Sequence, residues 1–170
     1  MRAVLGKDRP PCPRAFRCAD PLPTTTTEPE ETLSLSTRAV VDELFTRLAK
    51  ADLDGLDDLF AEDVDWQIPG AAHIVPWLGH RRTPAEVADF FRAMSRYVIQ
   101  ELFEVEQVFV DGQEAVIAGR LRSVVRATGK PIESQFVVRI TVVGGRINRY
   151  LFLEDSYAVA NAVQPGAARR

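Results

Sequence analysis

Cysteine is nearly missing from this sequence, and the two that occur, Cys12 and Cys18, both fall within the first 35 residues. They are spaced as C-x5-C, with no histidine or second pair nearby, so a zinc site is not expected. The rest of the chain has no cysteine, nothing requires an oxidising compartment, and the cytoplasm is the default. Histidine is as scarce, with His73 and His80 the only two. No apolar run approaches the ~18 residues that cross a bilayer, so no membrane partner is expected. Positive charge is not in excess either: the net charge of −3 provides no general basic field for nucleic acid or anionic lipid.

The first 35 residues have a composition of their own. Six of the 11 prolines lie there with a four-threonine run, and early arginines give way to Asp20, Glu28, Glu30 and Glu31. Such a segment buries too little apolar surface to offset the entropy of ordering it, and the expectation over 1–35 is a disordered tail or an upstream start that is not the physiological one. Val4-Leu5 is too short for the apolar core of a signal peptide. An arginine-rich organelle leader is the weaker alternative, because acidic residues come so soon after the arginines. The remainder suits one domain with one core over 36–162, followed by a flexible end at 163–170.

Within that domain, Ser36 is placed to cap a helix over 37–50 whose apolar stripe is Val40, Leu44 and Leu48. A second, short helix is predicted around Leu56, Leu59 and Phe60. Val64, Trp66 and Ile68 then alternate with Asp63, Asp65 and Gln67, the period of a half-buried strand. Pro69-Gly70 ends it, and a loop runs to Arg82. Thr83-Pro84-Ala85-Glu86 has the form of a capping box and opens a third helix to about Gln100. After it, four strands are predicted over 102–110, 115–126, 132–143 and 146–155, turning at Asp111-Gly112, around Gly129 and at Gly144-Gly145. Helices first and antiparallel strands afterwards imply an α+β fold.

The stretch from Phe60 to Gly79 organises the rest: it holds both tryptophans, and it is expected to form one wall and the mouth of an apolar pocket. The order of elements resembles the nuclear transport factor 2-like superfamily, in its SnoaL-like and ketosteroid-isomerase-like members. The features that carry the resemblance are ADLDGLDDLFAEDVDW, the P-W-x-G of Pro76 to Gly79, and GGRINRYLFLED. The resemblance implies a cone-shaped α+β barrel: three N-terminal helices on a strongly curved, mixed, mainly antiparallel sheet that encloses a pocket. It also implies a homodimer through the outer sheet face.

The family's catalytic positions are apolar in this chain. The isomerase base falls at Ile68 and its oxyanion donors at Leu44 and at Val138 or Val137, while the acid–base aspartate of cyclases and epoxide hydrolases falls at Phe152. Asp155 matches a family aspartate that is structural. The Arg-x-Asp pair of the hydrolases becomes Arg120-Leu121-Arg122. Alternation places both arginines away from the pocket, with Glu104 and Glu106 as partners across that face.

Trp66 and Trp77 read either as pocket lining for a flat apolar ligand or as core and loop anchor. With Leu44, Ile68, Phe90, Met94, Val138, Tyr150 and Phe152 they form the expected ligand-binding set. His73 is the most available proton shuttle, against the plainer reading of an exposed loop histidine. Glu154 shares a strand face with Tyr150 and Phe152, where desolvation would raise its pKa, against the plainer reading of a solvated strand end. A His73–Glu154 acid–base couple is the one sharp expectation. The class that results is a cofactor-independent enzyme of isomerase, cyclase, dehydratase or epoxide-hydrolase type, with no metal, acting on a small apolar or aromatic ligand. The alternative is a non-catalytic binding or assembly module.

Overall fold

A computed structural model describes residues 36–165. The tail expected over 1–35 and the last five residues lie outside them. The chain runs α1 (Thr37–Lys50), a 3-10 turn (Leu56–Leu59), β1 (Phe60–Ile68), β2 (Gly79–Arg81), α2 (Pro84–Tyr97), β3 (Val98–Asp111), β4 (Glu114–Val125), β5 (Pro131–Val143), β6 (Arg146–Glu154) and α3 (Ser156–Val163). Among the described residues no helix is long and apolar enough to cross a membrane.

Local chemistry sets the helix limits. The Ser36 hydroxyl accepts the Ala39 N–H, and Val40, Val41 and Leu44 are the buried side of α1. Thr83 and Glu86 form the reciprocal capping box of α2 with Pro84 at its first position, as the sequence predicted. The expected second helix is instead a single 3-10 turn. Gly55, at φ 68°, ends the preceding break only five residues before Phe60 enters the sheet, too little chain for α-helix nucleation. The third helix stops at Tyr97, because β-branched Val98 and Ile99 pair with Val125 and Val124 on β4.

Two elements were not foreseen. β2 is a three-residue strand that pairs Gly79, His80 and Arg81 with Ile68, Gln67 and Trp66 of β1. α3 comes directly after β6, and the Asp155 carboxylate caps it by accepting the Tyr157 and Ala158 N–H groups at 3.1 and 2.9 Å. Asp155 is therefore structural, and Val163, assigned to a flexible end, closes a helix. The carbonyl of Ala162 accepts the Thr128 hydroxyl, and those of Asn161 and Gln164 accept the Lys130 ammonium, so the β4–β5 turn satisfies the helix end.

The six strands form one mixed sheet in the order β2-β1-β6-β5-β4-β3, antiparallel except for the β1–β6 pair. It does not close: β2 and β3 are edges, so the fold is α+β with an open sheet rather than the cone-shaped barrel expected. The helices are also not all N-terminal to the sheet, since α2 comes after β1 and β2, and α3 after β6. On β4, inward Ala115, Ile117, Leu121, Ser123 and Val125 are buried while Val116, Arg120 and Arg122 are exposed. Gly119 is required on the inner face, because a Cβ there would lie 2.1 Å from the Glu104 carbonyl and 2.6 Å from the Phe136 ring.

Candidate functional site

Between the helices and the inner face of the sheet lies a cavity of about 560 Å³, a volume suited to a small organic ligand. Two aromatic walls define it. Along one, Phe45, Phe103, Phe136 and Phe152 form a run of stacked rings with successive centroids 6.1, 4.5 and 5.4 Å apart. Along the other, Trp66 lies parallel to Tyr150 at 5.5 Å and tilts against Phe90 at 4.5 Å, and Phe90 meets Phe91 edge-on. The loop 69–78 is folded by two tight turns that bury Val75, Trp77 and Leu78, and it brings Trp77 to the cavity against Tyr97.

Arg81 locks this roof to the wall beneath. Its guanidinium sits 4.5 Å from the Trp66 ring centre and 4.4 Å from that of Phe90, and Nη2 donates to the Trp77 carbonyl at 3.1 Å. Burial lowers its pKa, and among the described residues its buried Nη1 and the Trp66 Nε1 have no hydrogen-bond partner.

The polar side chains that line the cavity are few: Gln100, Ser123, Tyr150 and Glu154. The Gln100 amide is engaged with the carbonyls of Leu102 and Arg122. Glu154 is the one carboxylate of the lining, which includes no Lys, Arg or His. Removal from water pushes its pKa up to about 7, with the charge of Asp155 adding to the rise. Tyr150 is buried, and desolvation reinforced by the charge of Glu154 raises its pKa, so its hydroxyl stays protonated as a donor. The site thus holds a group that exchanges a proton near neutrality beside a group that does not.

The sequence matches a family model described as SnoaL-like domain over residues 41–150. The chain belongs to the SnoaL-like domain family, within the nuclear transport factor 2-like superfamily. A nuclear transport factor 2-like protein from Burkholderia xenovorans is 26% identical, with 75% of this chain and 95% of that one covered at a TM-score of 0.69. One from Burkholderia thailandensis is 21% identical, covering 77% and 99% at 0.69. An LEH-like epoxide hydrolase from M. tuberculosis shares the fold at 16% identity, covering 75% and 88% at 0.58. No curated protein matches the sequence.

This SnoaL-like domain brings most of the expected ligand set together: Trp66, Ile68, Trp77, Phe90, Met94, Tyr150 and Phe152 all line the cavity, and so does Glu154, the expected acid–base partner. Leu44 and Val138 do not. Both are fully buried in packing, Val138 between Ile117 and Phe152 in register, and Phe45 and Leu48 are the residues of α1 that reach the cavity. His73 is exposed at the tip of the loop turn whose inward residue is Val75, and among the described residues no hydrogen bond or ion pair joins it to Glu154. The couple is not assembled, because the turn directs Val75 rather than His73 inward. His80 lies 3.9 Å from Asp65 at the surface and away from the lining. Arg120 and Arg122 lie on the outer face as expected, paired with Glu104 and Glu106 and with Glu101 and Glu133 respectively.

Proposed function

We propose that this SnoaL-like domain is an enzyme that performs acid–base chemistry on a small apolar or polycyclic ligand, with Glu154 as the catalytic acid and base. The single observation that carries the reading is a carboxyl whose pKa is about 7, alone among the rings of an apolar cavity. A group so poised gives and takes a proton at nearly equal cost at neutral pH. The Tyr150 hydroxyl orients the polar end of the ligand, Trp77 and Phe152 pack against its body with Trp66 behind them in the wall, and the reaction needs no metal or organic cofactor. The neighbouring fold of an epoxide hydrolase supports an enzyme type of this kind.

A second reading, a binding module without chemistry, is favoured by the apolar side chains at Ile68, Leu44, Val138 and Phe152, where relatives place catalytic groups. A ligand screen by thermal shift and then turnover assays on any hit separate the two. Glu154→Gln is expected to lower turnover about 10²- to 10⁴-fold while ligand still binds. Binding with no turnover by the unaltered protein would leave the module reading standing. The outer sheet face is proposed as a homodimer surface, supported by half-exposed Val116, Val137 and Leu153 on neighbouring strands. A monomer at all concentrations in analytical ultracentrifugation would refute that pairing.

A further inference from the structure

The lining is one-sided in charge. It carries one carboxylate, a set of aromatic rings and no cationic side chain, and its free donors, the Tyr150 hydroxyl and the Trp66 Nε1, are uncharged and bring no countercharge for an anion. Ring faces carry negative potential and attract cations, more strongly where water is excluded. An anion placed here would meet Glu154 and those same faces, whereas a positive centre would meet a countercharge and a cage.

We infer that this cavity is built to hold a positively charged centre, so that its ligand class is lipophilic molecules with one basic heteroatom, lipophilic amines above all. The inference rests on the reading of the cavity as an acid–base site and narrows it. The proton step is balanced within the pair. The carboxyl O–H of Glu154 breaks and its electron pair stays on the carboxylate oxygen. The proton bonds to the lone pair of the ligand nitrogen or oxygen, and the return transfer restores both. The resulting ion pair forms beside Phe152, since the Trp66 ring is already covered by Tyr150 and the Arg81 guanidinium. An enolate intermediate, by contrast, would be repelled.

The surroundings of Glu154 are consistent with this polarity. β5 sets Phe136 opposite it and carries Arg139 and Glu133 on the outer face. α3 presents Val159, and its titratable Tyr157 is exposed. β1 contributes Trp66 and Ile68, while Asp65 lies beside Arg149 at the surface. α2 contributes Phe90 and Met94, with Arg92 tied to Asp89. α1 contributes Phe45 and Leu48, with Arg47 tied to Glu43. β3 and β4 contribute Phe103 and Leu121, their charges Glu101, Glu104, Arg120 and Arg122 being paired on the outer face. Arg81 packs on Trp66 and Phe90 without lining the cavity, and Asp155 is the charge that shifts Glu154, in the direction of holding its proton.

The test uses the full chain and three probes on one tricyclic skeleton: a tertiary amine, the neutral alcohol and the carboxylate, titrated calorimetrically at pH 6 and pH 8. The amine is expected to bind at least about 10-fold more tightly than the alcohol at pH 8, with the carboxylate weakest. The preference should shrink at pH 6 as Glu154 takes up its proton, and in Glu154→Gln the amine-to-alcohol ratio should fall to about one. Equal binding of amine and alcohol, tightest binding of the carboxylate, or a preference that survives Glu154→Gln would overturn the inference while leaving an apolar-ligand cavity intact. Binding of none of the three would sink the inference and the proposed function together.

Discussion

Two carboxylates on the same sheet show how differently its two faces treat charge. Glu154 on β6 faces the cavity, its carboxyl makes no hydrogen bond among the described residues, and its pKa is pushed up to about 7 by lost hydration. Glu114 on β4 lies on the outer face, where the Thr141 hydroxyl and the Arg139 guanidinium donate to it at 2.8 and 2.9 Å, and these bonds lower its pKa. The outer face sets its other glutamates beside arginines in the same way, in water, where each pair contributes little. The residue type is constant and the medium differs. A functional acid is recognised by what its neighbours fail to supply.

That contrast can be broken from the inside first. Trp66→Ala removes a fully buried ring that touches Tyr150, Phe90 and Arg81, and should destabilise the fold by about 3–5 kcal/mol in urea titration. A loss under about 1 kcal/mol would mean that the wall is not packed as described. Glu154→Gln should sharpen the comparison with the opposite sign. The native carboxyl holds its proton between about pH 4.5 and 7 whereas the unfolded one releases it, so its stabilisation is full below pH 4.5 and lost as pH rises through 7. The variant should therefore match the parent near pH 4 and exceed it by about 2–3 kcal/mol at pH 8. A difference independent of pH would place Glu154 in water. On the outer face, Arg120→Gln should move the unfolding midpoint too little to resolve, and any shift should vanish in added salt.

What could be read from the residues was local. Thr83 and Glu86 announced the start of α2, and the alternation through β4 put Arg120 and Arg122 outside correctly, because both signals depend on a few neighbours along the chain. α3 was legible in the same way but overlooked: Asp155 precedes SYAVANAV, an N-cap before a short apolar run. Phe103 escaped for a different reason. β3 carries two register shifts against β4, one on either side of Phe103, and each reverses the parity by which an inward face is counted. Leu44 and Val138 were misassigned because a register borrowed from relatives gives a position along an element and not its depth beneath neighbouring side chains.

By itself the sequence determined the caps, the strand alternation and the α+β class, since these arise from hydrogen bonds and side-chain periods within a few residues, while the open edges of the sheet came from the tertiary pairing. Only the tertiary structure decided that His73 faces water, that Arg81 clamps the roof, and that Glu154 is the one carboxylate lining the cavity. Desolvation is a sum over every group brought near from distant parts of the chain, and no local pattern encodes that sum.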